Sequence, residues 1–395
     1  MSLPQATTAA ATTAGASASG RSGPVGIGII GTGMISNAYL DNLIRFPDVR
    51  VVALGDLNEA LATEKAAAYG VPFSGSPASV LENAEVEIVI NLTIPAAHVP
   101  VALDAIAAGK HVWIEKPIGI NREEAKALLV AADAAGLRVG VAPDTVLNPG
   151  IQTALRHLAA GAIGTPLTAR TMMRYSGPDL FHPNPAFLFA QGGGPLLDMG
   201  PYYVTTLVSA FGPVRKVYAT GSTAKETRTV KLGPLTGQSF PVSVLTHVDA
   251  LVTFESGASA QLTFSNDSPL AEMGTVEIIG AGGMLLTPDP NHADGGTRVA
   301  RHPQEYAEVL EPTWEDYPEE GTVTGRGYGA LDMARGIREG LPHVATGELA
   351  LHVLDIMLAI EESAAAGEVV AIGSTVDPVP LVDHTRDPFA ATLSA

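Results

Sequence analysis

Val25-Gly26-Ile27-Gly28-Ile29-Ile30-Gly31-Thr32-Gly33-Met34-Ile35-Ser36 decides how this chain folds. An apolar run rich in β-branched side chains empties through a glycine turn into a helical pattern that continues to Leu43. That succession reads as strand, tight turn and helix. It is the arrangement a dinucleotide pyrophosphate needs. Gly31 permits the turn, Gly33 lets the backbone approach the phosphates, and the first helical turn offers free N–H groups and a partial positive charge. Ser36 stands where a third glycine or alanine is usual and is small enough for close helix–strand packing. A second strand, Val49–Gly55, is followed by Asp56, 25 positions after Gly31. A carboxylate there accepts from both ribose hydroxyls and repels a 2′-phosphate. Leu57 and Asn58 supply no cation for such a phosphate, so the expected cofactor is NAD in preference to NADP.

Outward from this unit the alternation continues. Helical patterns at 58–69, 99–108 and 123–135 separate strands at 87–92, 111–114 and 138–142, which predicts a doubly wound parallel sheet of Rossmann type over 24–143. After 143 the rhythm changes. Strands are expected at 165–174, 215–221, 242–254, 259–265, 275–280 and 283–286, with Glu255-Ser256-Gly257 as a hairpin turn. The α/β reading is therefore completed by a second domain over 144–377, built on a large, open, mainly antiparallel sheet with helices on one face. Helices return at 331–338 and 348–366. Residues 287–325 read as surface loops, 1–23 as a disordered tail without the features of an export signal, and 378–395 as an irregular C-terminal tail.

Composition narrows the function. The chain has 395 residues, 46% of them hydrophobic, which is enough for two cores. Acidic residues outnumber basic ones 41 to 23, and the resulting charge of −18 disfavours nucleic acid and anionic lipid as partners. The absence of cysteine excludes disulfides, thiolate catalysis and cysteine-ligated metal. No apolar run approaches the roughly 18–20 residues that span a bilayer. Cytoplasmic residence is expected. No histidine and carboxylate set has zinc spacing, so no metal is expected.

Two further segments carry chemistry. Lys110-His111-Val112-Trp113-Ile114-Glu115-Lys116-Pro117 is a buried strand ending in a charged pair. Proline disfavours the α region for Lys116 and holds it extended at the strand's C-terminal end, beside the crevice where open α/β sheets bind ligands. The second segment, Gly192-Gly193-Gly194-Pro195-Leu196-Leu197-Asp198-Met199-Gly200-Pro201-Tyr202-Tyr203, leads into an apolar helix. Asp198 there is readable as a simple cap, and Tyr202 as core filling.

Together these segments resemble the Gfo/Idh/MocA oxidoreductase family over about residues 25–372. The resemblance rests on the glycine turn, Asn91-Leu92-Thr93-Ile94-Pro95 to His98, Gly109-Lys110-His111-Val112, Glu115-Lys116-Pro117, Gly161-Ala162-Ile163-Gly164 and Gly193-Gly194-Pro195-Leu196-Leu197-Asp198. It implies dinucleotide contacts from Gly31, Thr32, Gly33, Met34, Ile35, Asp56, Leu92, Thr93, Pro95, His98, Glu115 and Lys116. It implies a catalytic role for Lys116 and a substrate-orienting role for Asp198. Many members read Asp-x-Gly-x-His, with histidine as acid/base; Tyr202 stands there instead, as in the glucose-fructose oxidoreductase and dihydrodiol dehydrogenase branches. A neighbouring ammonium favours phenolate, so Lys116 and Tyr202 are expected to share the proton relay. Helix geometry allows only one of Tyr202 and Tyr203 to face the crevice.

A second departure follows the last Rossmann strand. Many members carry arginine in an Arg-Phe-x-Pro stretch, whereas this chain reads Asp144-Thr145-Val146-Leu147-Asn148-Pro149. A recognition guanidinium is missing there, which argues against phosphorylated or carboxylated substrates. Asp144 and Asn148 are expected to meet sugar hydroxyls, with Arg174 and His182 on a second wall. The expected activity is NAD-dependent hydride transfer between nicotinamide and a secondary hydroxyl, or carbonyl, of a sugar, glycoside or cyclic polyol. The resemblance leaves two alternatives open: an NAD-dependent glycoside hydrolase acting by transient oxidation and elimination, and a non-catalytic NAD-binding regulator. It also implies a homodimer or homotetramer formed through the C-terminal sheet.

Overall fold

Every residue of β1 (Val25–Ile30) is buried in the computed structural model. This follows from its place at the centre of a parallel sheet covered on both faces, where a continuous apolar run is required. The structure describes residues 21–306 and 311–393, so most of the expected 1–23 tail lies outside the described residues. After β1 come α1 (Ile35–Leu43), β2 (Val49–Gly55), α2 (Glu59–Tyr69), β3 (Phe73–Gly75), α3 (Pro77–Glu82), β4 (Ile88–Asn91), α4 (Pro95–Ala107), β5 (His111–Ile114), α5 (Arg122–Ala134) and β6 (Val139–Val141). The six strands pair in the order β3-β2-β1-β4-β5-β6, all parallel. Strand order reverses between β1 and β4, so their C-terminal ends open a crevice. Helix α4 begins earlier than its apolar periodicity indicates, because Pro95 occupies its first turn, where no N–H is needed.

The second half contains α6 (Pro149–Ala159), β7 (Pro166–Arg174), α7 (Gly194–Phe211), β8 (Val214–Ser222), β9 (Thr227–Thr229), β10 (Ser239–Pro241), β11 (His247–Phe254), β12 (Ser259–Ser265), β13 (Glu272–Gly280), β14 (Gly283–Leu286), β15 (Thr297–Arg301), β16 (Trp314–Tyr317), α8 (Tyr328–Glu339), α9 (Gly347–Ala366) and β17 (Val370–Ala371). Nine of these strands form one sheet in the order β16-β15-β14-β13-β7-β12-β11-β8-β17. It is antiparallel except at β7–β12, which run parallel. Burial alternates along the strands: Val248, Ala250, Val252 and Phe254 of β11 face the core, while Asp249 and Leu251 face outward. Helices α7 and α9 pack on the inner face.

The 287–325 stretch is corrected by the structure. It contains β15 and β16, which extend the sheet at one edge and are laced by Arg298–Asp316 and Arg301–Glu315 ion pairs. Their polar side chains hide the strand pattern that an apolar alternation would have given. The expected strand 242–254 is likewise shorter: β11 begins only at His247, and the separate strand β10 just upstream pairs with β9.

Helix α8 returns to the parallel sheet, where Ala330, Leu331, Met333 and Ala334 join the core around Trp113. A Cβ at Gly329 would lie 2.0 Å from the Trp113 ring, so only glycine lets the helix sit on the indole. Beyond it, Asp48 accepts hydrogen bonds from the Thr392 and Leu393 N–H groups and pairs with Arg335, fastening the C-terminal segment to the first unit.

Candidate active site

The turn after β1 has the geometry its sequence requires. Gly31 has a φ of 97°, and a Cβ there would come within 2.7 Å of the Leu92 backbone, so β1 and β4 close on each other only over glycine. A Cβ at Gly33 would stand in open space. The start of α1 has no side-chain cap. Uncapped N–H groups beside an open glycine fit a pyrophosphate, and these residues would hold it. Asp56 accepts from the Thr32 N–H at 2.7 Å, from the Thr32 hydroxyl at 2.9 Å and from the Asn58 N–H at 2.9 Å. Burial works against its charge, but these donors win, and its carboxyl lies below the usual range. Met34 and Ile35 are exposed next to the turn, while Leu57 and Ile94 present exposed apolar surface just beyond the ends of β2 and β4.

Lys116 leaves the end of β5, and its Nζ donates to Asp198 Oδ1 at 2.7 Å and to the Asp198 carbonyl at 2.6 Å. The Lys116–Pro117 peptide is cis. Asp198 and Tyr202 are four residues apart on α7 and therefore share a face. The Nζ lies 5.3 Å from the centre of the Tyr202 ring. Burial pushes the lysine pKa down; Asp198, Tyr202 and Glu115 outweigh it, and the net shift is upward. Lys116 is thus held as an ammonium. Tyr203 points away, its hydroxyl accepting from the Gly274 N–H at 2.8 Å against the large sheet. Because α7 begins at Gly194, Asp198 is not the cap of the helix and Pro201 lies inside it.

Tyr202 is only 3% exposed, and its hydroxyl has a partner that no motif announces. Arg326 Nη2 donates to Tyr202 Oη at 2.8 Å. A guanidinium thus reaches Tyr202 from a distant part of the chain, 124 positions beyond it. The glycines of Gly325-Arg326-Gly327 were the available signal, since both have positive φ and mark a tight loop.

Several expected contacts are corrected. Asn148 is fully buried and does not face a ligand; its Oδ1 accepts from the Thr324 N–H and hydroxyl and from the Gly325 N–H, at 2.8–3.1 Å. Asp144 is also fully buried and accepts from the Gly327 N–H at 2.6 Å. Burial pushes its carboxyl up to about 7, against the opposing pull of Arg326. Both residues are fully buried and hold the Arg326 loop instead of standing exposed on the crevice wall.

His98 is buried, with Nδ1 2.6 Å from the Pro117 carbonyl and Nε2 3.1 Å from the Thr93 carbonyl, so it braces the crevice from within instead of lining it. Leu92 is buried beneath Gly31, while Thr93 bonds Asn91 ahead of Pro95. Glu115 turns to the Tyr39 hydroxyl at 2.8 Å and to the Lys116 N–H at 2.9 Å. Arg174 pairs with Glu272 at 2.6 Å, on the large sheet. His182 accepts from the Asn184 N–H and packs edge-on against Phe187. Burial lowers its pKa while Asp198 draws it upward, which puts the imidazole within the field of the carboxylate.

Fold and site together define a nucleotide-dependent oxidoreductase. Residues 25–142 match the family description "Oxidoreductase family, NAD-binding Rossmann fold", and residues 151–286 match "GFO/IDH/MocA C-terminal domain". The chain belongs to the Gfo/Idh/MocA oxidoreductase family, and its N-terminal unit is an NAD-binding one. Trans-1,2-dihydrobenzene-1,2-diol dehydrogenase of Mus musculus is 34% identical over 176 residues, covering 44% of this chain and 51% of that enzyme, so the match spans about half the mouse protein. The scyllo-inositol 2-dehydrogenase (NAD(+)) of Bacillus subtilis (strain 168) is 25% identical over 242 residues, 61% of this chain and 66% of the enzyme. Among solved structures, levoglucosan dehydrogenase in complex with NADH and L-sorbose superposes with a TM-score of 0.76 at 24% identity, covering 89% of this chain and 99% of the other. No helix among the described residues is long and apolar enough to cross a membrane.

Proposed function

We propose that this protein is an NAD-dependent dehydrogenase that oxidises a secondary hydroxyl of a sugar, glycoside or cyclic polyol, or reduces the matching carbonyl. The observation that carries the reading is the meeting of the Lys116 ammonium, the Asp198 carboxylate and the Tyr202 phenol at the C-terminal edge of the parallel sheet. NAD, when bound, supplies the hydride acceptor. The carbinol C–H bond breaks with its electron pair leaving as hydride, the O–H proton goes to a base, and the C–O bond becomes a carbonyl. Lys116, kept protonated by Asp198, is unsuited to take that proton and suited to steady the developing oxyanion. Tyr202 is the proton acceptor, and Asp198 orients Lys116 and the substrate hydroxyl.

The relatives named above are dehydrogenases, and dTDP-3,4-didehydro-2,6-dideoxy-alpha-D-glucose 3-reductase of Streptomyces antibioticus is a further match. Their names favour net oxidation or reduction over a redox-cycling glycoside hydrolase. Purified protein screened with NAD and NADP against inositols, free sugars, anhydrosugars and glycosides checks this. NADH formed with a polyol or sugar supports the reading; aglycone released without net NADH would replace it. The compartment that fits an enzyme using the soluble pyridine nucleotide pool is the cytoplasm, which fractionation tests. The outward face of the large sheet, with Tyr218 and Leu251 exposed, supports a homodimer or homotetramer.

A further inference from the structure

Arg326 is a buried charge beside Tyr202 that the proposed chemistry has not yet used. Its side chain is 15% exposed and its Cζ lies 5.2 Å from the centre of the Tyr202 ring. Two cations thus flank one phenol, but they treat it differently. Lys116 spends its hydrogen bonds on Asp198, whereas Arg326 bonds the phenol oxygen itself. A guanidinium is only a donor, so Tyr202 Oη must accept from it. One lone pair is thereby fixed on Arg326, and the hydroxyl hydrogen, or the second lone pair when that hydrogen has left, is directed away from it.

The surroundings hold Arg326 tightly. Asn291 Oδ1 accepts from Nη2 at 3.2 Å. Asn148 pins the backbone of 324 and 325, and Asp144 pins that of 327, so the loop is clamped on both sides of the arginine. Asp144 Oδ1 and Arg326 Nη1 face each other at 4.0 Å, both buried and neither with a hydrogen-bond partner. A buried ion pair with unmade hydrogen bonds is a poor device for stability. An arginine serving the fold alone would be expected to close that gap; this one keeps its other nitrogen on Tyr202.

We infer that Arg326 is a positioning residue for the proton transfer: it fixes the Tyr202 hydroxyl and supplies the positive charge that stabilises the oxygen when its proton is gone, while Asp144 and Asn148 set the loop that delivers it. The inference rests on the reading of Tyr202 as proton acceptor. It also accounts for a Tyr202 so enclosed, because a buried phenolate without a bonded cation is costly. The other charged groups facing this centre are Lys116, Asp198, Glu115 and Asp144, with the Tyr39 hydroxyl behind Glu115.

The test compares wild type, Arg326→Ala, Arg326→Lys, Asp144→Asn/Arg326→Ala, Tyr202→Phe and Tyr202→Phe/Arg326→Ala, each assayed for NAD affinity and for kcat across pH 6–10 with the preferred substrate. Asp144→Asn/Arg326→Ala removes both buried charges and guards against failure to fold. Expected results are a fall in kcat of about 100-fold or more in both alanine variants with NAD Kd unchanged. The pH of half-maximal kcat should also move upward by about one unit or more, and Arg326→Lys should recover part of both effects. In a Tyr202→Phe background, Arg326→Ala should add little. If both alanine variants keep the wild-type rate and pH profile while Tyr202→Phe is inactive, Arg326 is structural and the inference fails alone. If Tyr202→Phe keeps the wild-type rate, the underlying reading of Tyr202 fails and takes this inference with it.

Discussion

At Lys116 burial opposes an ammonium, and the opposition is overcome chiefly by one carboxylate, that of Asp198. Asp198→Asn removes the largest of the influences that oppose burial, so the lysine pKa should fall and more neutral amine should be present at alkaline pH. Lys116 should then be acylated by an amine-directed reagent at pH 9 in the variant and spared in the wild type, as read by peptide mass spectrometry. Equal labelling would show that Asp198 does not hold the charge. Asp56 is expected to set cofactor selectivity. Its carboxylate sits between the glycine turn and Asn58, and Asp56→Ala would remove both the acceptor proposed for the ribose hydroxyls and the repulsion proposed for a 2′-phosphate. The ratio of kcat/KM for NAD over NADP should fall by about ten-fold or more; an unchanged ratio would place selectivity elsewhere.

At the scale of elements, the β1–turn–α1 unit depends on Gly31. Gly31→Ala combines a left-handed φ with a 2.7 Å approach to the Leu92 backbone, and strain of about 1–3 kcal/mol or more is expected. Thermal unfolding should show a lower Tm, and isothermal titration a loss of NAD binding out of proportion to it, because the turn itself must open. Gly33→Ala should leave Tm nearly unchanged, since its Cβ meets nothing in the protein.

The β1–α1–β2 unit was legible in the sequence because every signal there is local: apolar runs, glycine at a turn, an acid after a strand. Lys116, Asp198 and Tyr202 were legible as candidates because each lies in a short motif. Arg326 was not, because it reaches Tyr202 only through tertiary closure, in a stretch whose glycine and charge read as loop. Asn148 and Asp144 were misread for the same reason: polar side chains after a strand look available to ligand until the loop that consumes them is in place. Helix α6 escaped notice since Pro149 and Gly150 open it and read as a break, although proline is at home in a first turn. Strands β15 and β16 were hidden by their charged pairs.

For the whole molecule, the two halves are joined at the site and by α8, whose core contacts lie with the parallel sheet although its sequence follows the large one. Stability should record the buried Asp144. Its folded pKa is raised to about 7 by burial, above the roughly 3.9 of an unfolded aspartate, so the folded state holds the proton more tightly. Its contribution is most favourable below the unfolded value and is lost as pH rises towards 7, by up to about 1.4 kcal/mol per pH unit. Asp144→Asn should therefore gain stability relative to wild type as pH increases from 4 to 8 in urea titrations; a constant difference would mean that Asp144 does not titrate there. The open sheet face makes a separate prediction. Leu251→Glu, on the outward side of β11, should shift sedimentation towards monomer with NAD binding retained.

The proposed dehydrogenase chemistry depends on Lys116 and Tyr202 acting on a substrate beside bound NAD. The most direct measurement is single-turnover reduction of NAD by wild type, Lys116→Ala and Tyr202→Phe, with NAD Kd determined by calorimetry on the same samples. Both variants should lose hydride transfer by about 100-fold or more while binding NAD as the wild type does. Wild-type transfer rates in both variants, with NAD bound normally, would contradict it.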